Sequence, residues 1–192
     1  MFSFLLLLAT VAQLPDFSLD LARRLILYSD AAYCGDRHHG GLSPIQNWTC
    51  APCQSLLDVQ FDTYAIMTNV TEQTLAFVGI ETDIRDGQER IILSFRGSVL
   101  DKNFVDDHDQ SLVERKGFVG RVHRGMHRSY VSLQEQLFKH MRNLINQKSN
   151  TPVIVTGHSL GAGQAVYGAV DLAANFSSTN FTLISFGTPR PG

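Results

Sequence analysis

The sequence predicts an α/β domain: a mixed, mainly parallel sheet with helices packed on its faces. Three observations carry that reading. Residues 153–174 run from an apolar, β-branched triplet, Val153-Ile154-Val155, through a Gly-rich turn into a helix of small residues (Ala162, Gly163, Ala165, Val166, Ala169, Val170, Ala173). Residues 129–147 place Tyr130, Leu133, Leu137, Met141, Leu144 and Ile145 at helical spacing just before that triplet, so a helix crosses over between two parallel strands. Three strand-like runs at about 58–69, 74–82 and 90–95, the last preceded by the turn signal Asp86-Gly87, suggest an antiparallel start to the same sheet.

A chain of 192 residues with 44% hydrophobic and 18% charged residues is long enough for one domain with a real core. Residues 1–12, Met-Phe-Ser-Phe followed by four leucines and Ala-Thr-Val-Ala, read as a signal peptide, with small residues at Thr10 and Ala12 ahead of a cut before Gln13. The apolar run stops at Pro15-Asp16, short of the roughly 20 residues a membrane span needs, so no integral span is expected. Sequons at Asn47, Asn69, Asn175 and Asn180 agree with a secreted, glycosylated protein. The domain is then 13–192.

Residues 17–33 carry Phe17, Leu21, Leu25, Tyr28 and Ala32 on one side and Asp20, Arg23 and Arg24 between them, an amphipathic helix lying on a sheet. A polar loop follows over about 34–55. Of the three cysteines, Cys50 and Cys53 form a C-x-x-C that reads best as a local disulfide, because neither a second ligand pair for zinc nor a strand leading into a redox helix accompanies it. Cys34 is the odd thiol of that arithmetic. After the third strand, Val99, Leu100 and Phe104 face one way and Asp101, Lys102 and Asp106 the other, a small amphipathic helix. Residues 181–186 are the next strand, and 187–192 a loop.

The turn in front of the small-residue helix is Gly157-His158-Ser159-Leu160-Gly161, a G-x-S-x-G. The bare pattern arises by chance in roughly one chain in fifteen of this length, so its setting decides: strand directly before, helix directly after. In that setting the turn strains the serine and lifts its hydroxyl to the sheet's C-terminal edge, and the glycines avoid collisions with strand and helix. A serine hydroxyl is a weak nucleophile that needs a base on one side and N–H donors for an oxyanion on the other. A formal charge of −2 and the lack of any Lys/Arg cluster argue against nucleic acid as a partner. His123 and His127 are set aside as metal ligands because Gly125 interrupts them and no Glu ligand follows; no metal or organic cofactor is implied, since covalent acyl transfer needs none.

These segments together resemble the class 3, or fungal-type, lipases of the α/β-hydrolase fold. The resemblance runs over most of the chain after the leader, through Ser94-Phe95-Arg96-Gly97-Ser98, Asn103-Phe104-Val105-Asp106-Asp107, Val122-His123-Arg124-Gly125-Met126 with Ser129-Tyr130, residues 156–162, and Ser185-Phe186-Gly187-Thr188-Pro189-Arg190. It implies Ser159 as nucleophile, Ser98 and Leu160 as oxyanion-hole donors with help from the Ser98 hydroxyl, and a lid from Val99 to about Asp107, including Leu100 and Phe104. It also implies a Cys50–Cys53 bridge and a partner for Cys34 near the family's C-terminus. The substrate it implies is a lipid or other carboxylic ester met at a lipid–water interface; phospholipase A1, feruloyl esterase and acyltransferase share the constellation.

Hydrolases of this fold order their triad Ser, then Asp or Glu, then His. After Ser159 this sequence holds no histidine and a single acid, Asp171, expected on the solvent side of the helix. Two readings stay open: a fragment, lacking the last strands of the sheet, of an enzyme whose acid and base lie beyond Gly192, or a lipase-like protein that binds lipid without cleaving it. On either reading these 192 residues by themselves are expected to be nearly inactive.

Overall fold

The computed structural model describes residues 18–35, 41–99 and 111–192. The signal peptide, Leu100, Phe104 and the histidines at 38, 39 and 108 lie outside the described residues.

Helix α1 (Leu19–Ala31) opens on Ser18, whose hydroxyl accepts the Leu21 amide at 3.2 Å, and tightens into a 3₁₀ turn over Ala32–Cys34. Two four-residue helices, α2 (Ser43–Gln46) and α3 (Ala51–Gln54), interrupt the expected loop. Each has proline in its first turn, where the missing N–H has no intrahelical carbonyl to lose. The Cys50–Cys53 disulfide spans α3.

Strands β1 (Val59–Asn69), β2 (Thr74–Asp83) and β3 (Glu89–Phe95) form an antiparallel meander. A small antiparallel hairpin, β4 (Leu112–Glu114) with β5 (Arg121–His123), leads into α4 (Arg124–Gln147). Helix α4 starts five residues earlier than periodicity alone suggests, because the His123 side chain caps it, Nδ1 accepting the Met126 amide at 3.3 Å. Then come β6 (Val153–Gly157), α5 (Leu160–Asn175) and β7 (Phe181–Leu183). The sheet order is β1-β2-β3-β6-β7, with β6 parallel to both β3 and β7.

Alternation along the central strands divides the core between two faces. Ile91, Leu93, Phe95, Val153 and Val155 pack under Tyr130, Leu133 and Leu137 of α4 and Ala165 and Leu172 of α5. Ile92 and Ile154 look the other way, with Leu75 and Phe77, at Leu25 and Tyr28 of α1. Two buried polar contacts fix α1 over the strand ends: Ser94 Oγ donates to the Tyr28 carbonyl at 3.0 Å, and the Ser29 and Thr156 hydroxyls share a hydrogen bond at 3.1 Å. Among the described residues no helix is long and apolar enough to cross a membrane.

Candidate active site

Strands β3 and β6 end side by side, with Phe95 paired to Gly157. Two residues further on, Ser159 occupies φ 56°, ψ −127° as the residue capping α5. For a residue with a Cβ this is strained backbone, at a cost of order 1–3 kcal/mol. It persists because both sides are tied down: the Ser159 amide donates to the Phe186 carbonyl at 3.0 Å, its own carbonyl accepts the Ala162 amide at 2.9 Å, and His158 bridges Phe186 in parallel fashion. Ser159 is half-buried.

The glycines of the turn are required by close backbone packing. A methyl group at Gly157 would sit 2.5 Å from the Gly161 carbonyl carbon, and one at Gly161 would sit 2.8 Å from the carbonyl carbons of Phe95 and Arg96. The segment after β3 passes equally close: a methyl group at Gly97 would lie 2.6 Å from the His158 carbonyl oxygen and collide with the Tyr33 hydroxyl. Ser98, the next residue, therefore runs alongside the turn and is half-buried, as is Val99. Leu160 is the first residue of α5, so its N–H has no carbonyl one turn back within the helix and lies at the positive end of the helix dipole. Strained serine, helix N-terminus and the Gly97–Ser98 arm thus meet at one corner of the sheet.

The described histidines are occupied elsewhere. His158 is exposed and its Nδ1 shares a 3.0 Å hydrogen bond with the Tyr33 hydroxyl. His123 caps α4 through Nδ1, His127 stacks edge-on against Tyr167, and His140 packs edge-on against Tyr64. Burial, reinforced by the Arg115 charge, holds His127 below the ordinary imidazole value.

Asp171 is a correction. It does not face solvent: its Oδ2 accepts from Arg115 at 2.7 Å, Tyr130 at 2.7 Å and Gln134 at 2.8 Å. The Arg115 guanidinium in turn lies 4.6, 5.1 and 4.8 Å from the ring centres of Phe118, Tyr130 and Tyr167. The residue sits on the side of α5 that this hairpin covers, so what looked like a solvent face is an interface. Burial pushes the Tyr167 hydroxyl up to about 12 and, together with the Asp171 hydrogen bond, raises that of Tyr130 further. Neither Tyr33 nor Arg115 carries a motif; both reach the site region only through folding, Tyr33 across 125 residues of sequence.

A family model described as lipase (class 3) matches residues 92–192. The lipase of Rhizopus niveus is 28% identical over 190 residues, covering 96% of this chain and 44% of that protein. The secreted mono- and diacylglycerol lipase MDL3 of Malassezia globosa is 30% identical over 111 residues, covering 53% and 36%. A solved structure described as showing a serine protease triad at the catalytic centre of a triacylglycerol lipase aligns with TM-score 0.71 at 25% identity, over 90% of this chain and 63% of that one. The chain spans less than half the length of these curated relatives. With its mixed α/β-hydrolase-type sheet and this match over more than half of its residues, the chain belongs to the class 3 lipase family.

Proposed function

We propose that this chain carries the nucleophile and oxyanion-binding half of a lipase active site that hydrolyses carboxylic esters of lipids. The observation that carries the reading is Ser159 at φ 56°, ψ −127° between β6 and α5, with Gly97 packed against His158. Ser159 Oγ attacks the ester carbonyl carbon and gives up its proton to a base. The oxyanion that forms takes hydrogen bonds from the Ser98 and Leu160 amides and from the Ser98 hydroxyl. The alcohol leaves with a proton, and water then cleaves the acyl-serine by the reverse sequence. Loss of one oxyanion donor costs about 3–4 kcal/mol of the barrier reduction. Val99 begins the lid; the name of the Malassezia globosa relative, a secreted lipase, supports an extracellular setting. Asn47, Asn175 and Asn180 are exposed and open to glycosylation, whereas Asn69 is half-buried and bonded to the Ser132 carbonyl and Glu72 amide.

Base and acid are not supplied by residues 160–192, where no histidine occurs and Asp171 is committed to Arg115. The 192 residues alone are therefore expected to retain only the oxyanion-hole and binding contribution, about 10³–10⁴ over water. That commitment of Asp171 also favours a second reading, lipid binding without cleavage. A fluorophosphonate probe on the full-length protein separates the two: labelling that vanishes on Ser159→Ala supports the hydrolase, and an unreactive Ser159 sinks it.

A further inference from the structure

We infer that the tip of the β4–β5 hairpin, residues 115–121, is a docking element for an anionic lipid surface, seating the Ser159 end of the sheet against it. The inference deepens the lipid reading above by naming the surface and its partner. Val119 is 108% exposed, the most open large apolar side chain among the described residues, and Leu112 on the same hairpin is 45% exposed. A lone surface valine is unremarkable in itself; its mounting, surroundings and position are what point to a ligand surface.

The mounting is rigid. Gly117 at φ 89° and Gly120 at φ 90° flank the pair Phe118-Val119, and these left-handed positions let the chain reverse so that Phe118 turns inward while Val119 projects outward. Phe118 meets Tyr167 edge-on at 5.5 Å and stacks on Arg115, which is itself locked to Asp171 at 2.7 Å. On the outer side a Cβ added at Gly117 or Gly120 would meet nothing within 4 Å. An apolar side chain is thus held out from the protein on a pre-ordered support, which lowers the ordering cost of binding.

The surroundings are cationic. Lys116 and Arg121 are exposed at the tip, and among the described residues of the hairpin the one exposed acid is Glu114, which faces Arg121 in the ladder. An aliphatic tip with a collar of Lys and Arg suits the boundary of an anionic bilayer, where each cation strengthens binding about fivefold. The position is at the catalytic end: β5 runs straight into α4, whose Met126 lies against Gly163 in the first turn of the helix that Ser159 caps. The His123 amide and the Tyr167 hydroxyl also converge on the Pro191 carbonyl, at 2.8 and 2.7 Å, tying hairpin and elbow helix together.

The test is co-sedimentation of the full-length Ser159→Ala protein with phosphatidylglycerol and phosphatidylcholine vesicles. Expected is binding to phosphatidylglycerol well above that to phosphatidylcholine and weakened by salt. Lys116→Ala and Arg121→Ala should each lower it about fivefold, and Val119→Asp about tenfold. Val119→Ser, too exposed to affect folding, should weaken it in the same direction. Equal binding to both vesicles, no binding, or variants that sediment like the parent would overturn the inference. Turnover of a soluble ester by the unsubstituted protein reports on hydrolysis separately: its absence with vesicle docking intact would remove the hydrolase reading and leave the docking surface standing.

Discussion

At the end of the sheet where β3 and β6 finish, backbone meets backbone: Gly157 against Gly161, Gly161 against Phe95 and Arg96, Gly97 against His158. At the opposite end, where β2 finishes and β3 begins, side chains meet side chains. There Glu81, fully buried, lies 3.3 Å from Arg24 of α1 and 3.1 Å from Arg90, its partner across the β2–β3 ladder. Asp83 joins the same Arg24 at 3.2 Å to Arg85 at 2.7 Å. The first end positions groups by excluding every alternative shape, which suits a constellation that must be held to fractions of an ångström. The second closes the gap between helix and sheet with long side chains that tolerate small displacements but not the loss of a charge.

The sharpest way to break this contrast is one substitution made at both ends. Gly161→Ala drives a methyl group into the Phe95 and Arg96 backbone, which cannot move without disturbing the central strand. The expected loss is about 3 kcal/mol or more, a fall in the thermal midpoint of about 6–12 °C. Gly87→Ala, in the far-end turn at φ 70° with open space around it, should cost only the conformational penalty, about 1–2 kcal/mol. Equal melting shifts for the two would erase the distinction.

Next in size is Glu81→Gln, which removes the carboxylate that Arg24 and Arg90 share and leaves Arg24 to Asp83 alone. Breaking a buried pair costs about 3–5 kcal/mol, and because the two arginine side chains keep 14% and 20% of their exposure the expected value is near the lower bound. The thermal midpoint should drop while the rate of fluorophosphonate labelling at Ser159 at 25 °C stays as in the parent. A variant that melts early and also labels slowly would mean that the two ends are mechanically coupled.

What the sequence reveals of this molecule follows the range of each interaction. The meander, the crossover helix and the turn around Ser159 are legible because alternation, helical spacing and G-x-S-x-G are written in consecutive residues. Strands β4 and β5 are three residues each, too short for a period to emerge, though Gly117 and Gly120 mark the turn between them. Helix α4 is misjudged at its start because a histidine caps it in place of the usual Ser, Thr, Asp or Asn. Asp171 and Tyr33 are missed because their partners, Arg115 and His158, stand 56 and 125 residues away in the chain.

The two ends should also separate by pH. The Arg85 hydrogen bonds hold the Asp83 carboxyl well below the ordinary range, so the unfolded chain takes up a proton that the folded one refuses. This contribution is complete above about pH 4 and is lost as the pH falls below it. On the elbow side, burial lowers His127, so the fold favours neutral imidazole and stability is lost as pH falls below about 6.5, where the unfolded histidine charges. His140, lowered by burial and by Lys139, adds to that second window. In thermal melts across pH, His127→Gln should flatten part of the decline below about 6.5 and leave the acid limb, while Asp83→Asn should do the reverse. A single limb moved by both variants would count against the separation.

The smallest stability effect is expected where the functional effect is concentrated. Tyr33→Phe keeps the ring in place and removes the hydroxyl that meets His158 Nδ1 at 3.0 Å and packs against Gly97. One hydrogen bond to an exposed imidazole contributes about 0.5–1 kcal/mol, so the melting shift should be about 1–4 °C. Yet that hydroxyl stands between the arm that carries Ser98 and the turn that carries Ser159, and without it the arm gains room at the point where the two are closest. Labelling of Ser159 should slow several-fold even though no group that contacts the ester has been removed. A Tyr33→Phe protein that melts slightly lower but labels at the parental rate would show that glycine packing alone sets the spacing, and that the hydroxyl serves only to hold α1 against the sheet.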